Sequence, residues 1–530
     1  MAPLFDPDEG YYPATAAETL KAGTFWDLRF NGAPRWEKPI LSYALIETAF
    51  RVFGESAASA RMPSAVEGAL LIAIAGFVVA RLAGPRAGTL SAAAVGTTFG
   101  VSVFSRVAHP EIAVVLSIVV SELLLCVWLT TTDRRTRRLL ALGAGVSVAY
   151  GLLAKGPVAA VLPILALFST LPFVRIEEGS VRAGIADALL AAAVACGLAM
   201  PWYVAMALRH GGSFLRDAVW QQNVGRYATH AYGHRASTLF LVLPLLVGLL
   251  PWTALLPRAI RRVRLRSAGG REVLRICMLA SALTALAFYS VSASKLASYT
   301  LVCVPPLAIV IGLSLDEDFD DRAAMARAGI ATAVLLGICA VILVAAPFAA
   351  SHLVTTSQLL GALRPMTTNV ADLLALETVP LGCLIGAASL AVVATSSPTW
   401  RVASLAAVGA LAPVLILATA RPVLMAMYPW DRFGKEIAAR PGPVWMLHRR
   451  APSLTFYAGR PIFAAPDRET LEAEVDRERA GWLAITREDW AELSMTGALM
   501  TKERALVTER GRMVLVWFAD APAFDRGPTR

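Results

Sequence analysis

The chain has 530 residues, 56% of them hydrophobic and only 17% charged, and its mean hydropathy is +0.59. Soluble chains carry about a quarter charged residues, so a string of soluble domains is excluded, as are disorder and a disulfide-rich or collagen-like fold. The net charge of +10 points to membrane topology rather than nucleic acid, because arginines cluster in short loops, four within 134–138 and seven within 258–275. The fold class expected is an all-α polytopic membrane protein with a small α/β domain at its carboxy terminus.

In chain order, residues 1–64 precede the first apolar run. They hold an amphipathic helix at 40–53 and the polar motifs Asp8-Glu9-Gly10-Tyr11-Tyr12 and Trp36-Glu37-Lys38-Pro39. Twelve mainly apolar runs of about bilayer length follow, at 65–84, 89–105, 112–129, 139–154, 158–174, 185–208, 238–256, 274–291, 299–315, 330–349, 373–395 and 402–420. With 134–138 set in the cytoplasm, alternation puts 81–86, 175–182 and 258–275 there too. The acidic stretch 316–327 is the one misfit. A leading outer segment with no span before it implies a further amino-terminal span ahead of Met1, unaided translocation being the alternative. In the tail, 444–448, 460–464 and 513–518 read as strands and 469–479 as a helix. The domains expected are 1–64, a first outer loop; 65–427, the transmembrane core; and 428–530, an outer α/β domain.

The six cysteines all fall in apolar runs and read as small core filler. The ionisable residues inside the runs are few; the acidic ones are Glu67, Glu122, Asp187 and Glu377, each placed nearer an end than the middle. A transporter's polar pathway is therefore thin. Nor does the chain contain a Walker-type phosphate loop or a His-Glu-x-x-His motif.

Polar chemistry gathers instead on the outer turns. Only six of the 49 basic residues are lysine, and three of these, Lys38, Lys155 and Lys295, sit at outer membrane turns. A compact ammonium suits a phosphate. Snorkelling is the plainer role for any one of them, and three at converging turns weaken it. Glu111 caps a span on the same side, where it would bind substrate or simply face water. His230 and His234 share a long outer loop with Asn223-Val224-Gly225-Arg226-Tyr227.

Asp-Glu-x-x-Tyr, Trp-Glu-Lys-Pro, Pro-Glu, Ala-Lys-Gly-Pro, Pro-Trp-Tyr, Asn-Val-x-Arg-Tyr and Ser-x-Ser-Lys-Leu-x-Ser-Tyr occur in that order between Asp8 and Tyr299. The ordered set resembles the polyprenyl-phosphate-dependent GT-C glycosyltransferases, especially the aminoarabinose (lipid A) transferases and the dolichyl-phosphate-mannose-protein mannosyltransferase-like group. The resemblance implies a GT-C fold of about 12–13 spans. It also implies inverting transfer of a sugar from a polyprenyl-phosphate donor to a lipid, glycan or protein acceptor. The catalytic carboxylate maps onto Asp8, with Glu9 beside it. Tyr12, Lys38, Lys155, Arg226, Lys295 and Tyr299 map onto the surroundings of the donor phosphate, and Glu111 onto a substrate-binding position.

No cofactor is implied outright; a divalent metal held by Glu37 with His234 is the one left open. Two departures stand out. Glu111 replaces the usual Asp, and Gln222-Asn223 replaces the Glu-His of lipid A transferases, so a metal would have to recruit His230 or His234. The partners implied are the lipid-linked sugar, its acceptor and the bilayer, without nucleic acid. The cell membrane implied is the bacterial inner membrane, with a periplasmic active site. A lipid-linked sugar flippase and a non-catalytic membrane scaffold are the alternatives.

Overall fold

The computed structural model describes residues 3–6, 8–174, 180–228, 238–265, 269–356, 364–395, 397–427, 429–448, 450–494, 502–510 and 513–520. The chain divides into two compact units. One comprises 1–35, 43–63 and 420–530; the other comprises 36–42 and 64–419.

The larger unit is helical. Its elements are α3 (Ala57–Ala83, whose first residues belong to the other unit), α4 (Pro85–Thr97), α5 (Phe99–Phe104), α6 (Glu111–Leu129), α7 (Arg134–Ala154), α8 (Val158–Thr170) and α9 (Ser180–Phe214), which runs on into a π-helix, Leu215–Gly225, and a short α10 (Arg226–Ala228). After these come α11 (Val242–Gly248), α12 (Leu256–Arg261), α13 (Gly270–Val291), α14 (Val304–Asp318), α15 (Arg322–Thr356), α16 (Arg364–Ala394) and α17 (Pro398–Met427). Among the described residues, eight helices are long and apolar enough to cross a membrane by themselves. This is a multi-pass membrane protein.

Each of the twelve apolar runs is helical, and two are broken where a single helix was expected. The run at 89–105 breaks at Thr98, whose backbone turns extended. Its hydroxyl donates to the Val95 carbonyl at 2.9 Å, and the Phe99 N–H leaves the helix for the Leu250 carbonyl at 2.8 Å. The run at 238–256 forms two helices bent by 108°. Pro251 lies at that break and has no N–H to carry a helix through it.

Three of the four acidic residues in the apolar runs find a partner on a neighbouring helix. The Tyr150 hydroxyl donates to Glu67 at 2.5 Å, Ser281 to Glu122 at 2.7 Å, and the Trp128 indole N–H to Asp187 at 2.9 Å. Glu122 is not near a helix end: it lies in the interior of α6 and is 2% exposed, a placement the Ser281 hydrogen bond makes tolerable. The side chain of Glu377 lies outside the described residues. Among the cysteines, Cys126, Cys277 and Cys303 are buried as core filler, but Cys196 and Cys383 are exposed on helix surfaces. Both positions fall on the outward faces of apolar helices, where a bilayer rather than the protein core would surround them.

The arginine-rich ends of these helices are tied together by the acidic stretch that misfit the charge pattern. Asp316 accepts from Arg86 and Arg271 at 2.6 Å each. Asp318 accepts from Arg258 and Arg262, and Glu317 from Arg275 at 2.5 Å. The acidic residues therefore serve as counter-ions on the arginines' own side.

The smaller unit joins the first segment to the tail. It contains α1 (Asp8–Ala22), a hairpin of β1 (Arg29–Phe30) and β2 (Ala33–Pro34), most of α2 (Leu41–Phe53), and α18 (Trp430–Ala439). Then follow β3 (Val444–Leu447), α19 (Pro452–Ala458), β4 (Phe463–Ala465), α20 (Arg468–Arg477), β5 (Ala480–Thr486), α21 (Arg487–Leu493), β6 (Glu503–Arg510) and β7 (Met513–Ala519). The sheet runs β4-β3-β5-β7-β6; β3 is parallel to β4 and β5, while β7 is antiparallel to β5 and β6.

Both sheet faces are covered. Trp482, Ala484, Met513 and Leu515 pack with α18 and α19 residues such as Phe433 and Leu454, while Leu483, Ile485, Val514 and Val516 pack with Leu471 and Val475 of α20. Burial on two faces removes from β5 the polar alternation that marks a half-exposed strand, and β5 was not foreseen from sequence; nor was β6, an edge strand with Arg504 and Leu506 exposed.

Candidate functional site

In the larger unit, the helix ends opposite the arginine clusters bring three sequence motifs together. The turn 36–39, the end of α7 and the π-helix line a small open cleft whose walls include Trp36, Glu37, Lys38, Lys155, Trp202 and Asn223. Two of the three singled-out lysines and Glu37 thus meet, although 36–39 and Lys155 are far apart in sequence. Trp36 is held from behind by His210 (ring centroids 4.9 Å apart) and by Phe214 (5.8 Å), and Trp202 packs on Phe214 at 5.7 Å.

The local backbone explains the Ala-Lys-Gly-Pro motif. Lys155 ends α7, Gly156 turns with φ +105°, and Pro157 starts the next helix. A left-handed φ favours glycine. Space does too, since a Cβ on Gly156 would lie 3.0 Å from Asn223 Oδ1. Asn223 is fixed in turn, its amide N–H₂ donating to the carbonyls of Ala218 (2.9 Å) and Val219 (3.2 Å). π-helical stretches are rare and cluster at functional sites.

Next to this cleft, the Lys155 ammonium is ion-paired with the buried Glu111 carboxylate in the first turn of α6 and lies 5.5 Å from the centre of the Tyr299 ring. Tyr299 stacks on Tyr289 at 4.4 Å. The Lys295 ammonium donates to the Ser292 carbonyl at 2.7 Å, and among the described residues no carboxylate lies within ion-pair distance of it. Tyr227 fastens the Asn-Val-x-Arg-Tyr segment to the same turn, its hydroxyl donating to the Phe288 carbonyl and its own carbonyl accepting from the Ala293 N–H, at 2.9 and 2.8 Å. Thus Lys155, Glu111 and Tyr299 form one cluster. Lys295 stands on the Ser292–Ser298 turn, whose Ser298 hydroxyl also reaches Glu111. The side chain of Arg226, and all of His230 and His234, lie outside the described residues.

The remaining singled-out residues are in the smaller unit. Asp8 and Glu9 open α1, where carboxylates complement the helix dipole. Asp8 is exposed. Glu9 is 2% exposed and committed to a forked ion pair with Arg61, at 2.6 and 2.7 Å, and accepts from the Phe5 N–H as well. Tyr12 is buried against Tyr43 at 5.4 Å.

A divalent metal does not fit the described residues. Glu37 shares its cleft with Lys38, Lys155 and the amides of Gln222 and Asn223, a donor set with one carboxylate among cations. No group of three His, Cys, Asp or Glu able to hold a metal occurs among the described residues. Sequence reasoning passed over Trp202, Tyr203 and His210 as site residues. The Pro-Trp-Tyr motif was the available signal for the first two; nothing in the sequence pointed His210 at Trp36.

Residues 37–204 match the family described as dolichyl-phosphate-mannose-protein mannosyltransferase. Undecaprenyl phosphate-alpha-4-amino-4-deoxy-L-arabinose arabinosyl transferase 2 of Pseudomonas fluorescens is 30% identical over 314 residues, 59% of this chain and 52% of that protein. The corresponding transferase 1 of Sodalis glossinidius is 30% identical over 348 residues, 64% of this chain and 60% of that one. The chain therefore spans only about half the length of the curated relatives it matches. The crystal structure of ArnT from Cupriavidus metallidurans bound to undecaprenyl phosphate matches with a TM-score of 0.80 at 20% identity, covering 100% of this chain and 96% of that one. This chain has the GT-C fold of that ArnT, and its sequence resembles the polyprenyl-phosphate-dependent glycosyltransferases, aminoarabinose transferases foremost.

Proposed function

We propose that the protein is an inverting glycosyltransferase that moves a sugar from a polyprenyl-phosphate donor to a lipid, glycan or protein acceptor. The site faces the periplasm from the bacterial inner membrane. The observation that carries this reading is the meeting of Lys38 and Lys155 in one cleft, with Lys295 and Tyr299 on the neighbouring turn. Ammonium groups fixed at membrane turns suit a phosphate at the end of a lipid tail, and they stabilise the charge that builds on it as the sugar departs. Arg226 and Tyr12 complete the donor surroundings by resemblance.

Asp8, exposed on the first turn of α1, takes the proton of a hydroxyl acceptor; for a phosphate acceptor it orients the nucleophile. The carboxylate of Glu9 serves Arg61 and has no part in the proton transfer. Glu111 balances and orients Lys155 until the donor phosphate arrives. A transporter would need a continuous polar route, and the three described intramembrane carboxylates are instead each satisfied by a separate neighbour.

The test is mass spectrometry of lipid-linked sugars in cells with and without the gene. A polyprenyl-phosphate sugar that accumulates in the deletion, and clears on complementation with wild type but not with Asp8→Asn, is the expected result. An unchanged pool under expressing conditions overturns the proposal.

A further inference from the structure

The turn of α1 that carries Asp8 is seated on the tail. The Asp6 carboxylate accepts the Ser453 N–H at 2.9 Å, across 447 residues of sequence, in the first turn of α19. Gly10 lies against the same spot, where a Cβ would come within 2.5 Å of both Ser453 N and Ser453 Oγ. Just upstream, the Leu4 N–H donates to the Tyr457 hydroxyl at 3.0 Å, and Tyr457 is the sixth residue of that helix. Glu9 holds the turn from a different direction through its fork with Arg61, whose guanidinium also donates to the Pro3 carbonyl at 2.8 Å.

Positions 4, 6, 9 and 10 are therefore each fixed by a partner distant in sequence, and Asp8 is the exposed residue in their midst. The Asp-Glu-Gly run has a physical meaning in this arrangement. Position 9 must reach Arg61, and position 10 must carry no side chain for α1 to approach the α19 backbone this closely.

We propose that Asp6, Gly10 and Ser453 are positioning residues for Asp8, so that the carboxy-terminal domain acts in sugar transfer by holding the carboxylate-bearing turn in register. The inference rests on the reading of Asp8 given above and adds a role for the tail. None of the three residues need touch substrate. Orientation of a reacting group to within a fraction of an ångström is worth orders of magnitude in rate, and a turn pinned by three backbone-level contacts provides it.

The test uses the full chain in proteoliposomes, with the undecaprenyl-phosphate sugar purified from the deletion strain as donor and that strain's lipid extract as acceptor. Asp6→Ala and Gly10→Ala should lower turnover by about a hundredfold, while undecaprenyl phosphate binding, read by native mass spectrometry, and the melting midpoint of the membrane unit stay at wild-type values. Asp6→Asn keeps an oxygen that accepts the Ser453 N–H, and should restore turnover to within about twofold on the same geometric argument.

Wild-type turnover in Asp6→Ala beside a dead Asp8→Asn overturns the positioning role and leaves the functional reading intact. Loss of undecaprenyl phosphate binding in Asp6→Ala overturns it too, since the effect would then be a general loss of structure. Turnover surviving in Asp8→Asn defeats the functional reading itself, and this proposal with it.

Discussion

The two ends of the helical bundle handle positive charge in opposite ways. At one end, Arg86, Arg258, Arg262, Arg271 and Arg275 are matched by five carboxylates, Asp316, Glu317, Asp318, Asp320 and Glu272, through direct ion pairs. At the other, among the described residues, Lys155 has one carboxylate partner, Glu111, and Lys295 has a backbone carbonyl. Neutralised arginines brace helices. Sparsely matched lysines leave charge available for a ligand, at some expense of stability. The difference teaches that net charge on a membrane protein divides into a structural and a functional share, and that the carboxylates around each cation tell the two apart.

The largest effect expected from this contrast is at Lys155. Lys155→Ala should cut turnover by about a thousandfold and also destabilise the unit by about 3 kcal/mol, because Glu111 is left buried without its counter-ion. Pairing Glu111→Gln with Lys155→Met should return the melting midpoint in urea or heat while turnover stays lost; recovery of both would erase the functional half of the contrast. Asp318→Ala is the counterpart at the arginine end. Removing the acceptor shared by Arg258 and Arg262, whose side chains are partly exposed, should cost about 1 kcal/mol, with turnover per folded molecule unchanged at a permissive temperature.

Lys295→Met sharpens the distinction, because no described carboxylate depends on this lysine. Turnover should fall by about a hundredfold with the melting midpoint unmoved, and a shifted midpoint would mean the ammonium is structural.

The contrast extends to pH. Arginine keeps its proton throughout the physiological range, so the braced end should be insensitive to pH between 5 and 8. The smaller unit should not be. Burial pushes the Asp6 carboxyl above the ordinary aspartate range, up to about 6, against the opposing pull of the Ser453 hydrogen bonds. A carboxyl whose folded value is raised contributes stability below its unfolded value and loses it as pH rises through the folded one. Between about pH 4 and 6 this unit should therefore weaken, by about 3 kcal/mol in total, and Asp6→Asn should flatten that slope in a pH series of melting curves. The smallest change is Gly156→Ala, expected to cost roughly 1 kcal/mol through its left-handed φ and the neighbouring Asn223, read as a modest drop in melting midpoint.

Much of the bundle was legible in the sequence because a bilayer imposes its length on any apolar helix. All twelve runs are helical. The two that break do so for reasons of side-chain and backbone bonding, at Thr98 and around Pro251, that composition averages away. In the tail, β3, β4, β7 and α20 fall close to their expected places, whereas β5 and β6 were missed. Glu111, Lys155 and Tyr299 were singled out from turn position and motif order, and they do form one cluster. His210 behind Trp36, and the cleft wall formed by Trp202 and the π-helix, were not legible, since packing partners far apart along the chain leave no local signal.

By itself the sequence determined that this is a polytopic helical membrane protein, that its basic residues divide into arginine loops and a few turn lysines, and which colinear motifs carry polar chemistry. These follow from local physics, since hydropathy, helix length and turn chemistry act within a few residues of one another. Tertiary structure alone decided which charges are neutralised, that Glu9 belongs to Arg61, and that the first segment folds with the tail into one unit. Those outcomes depend on contacts between residues such as Asp6 and Ser453, 447 positions apart, whose meeting is set by the packing of whole helices and a sheet rather than by any stretch of chain.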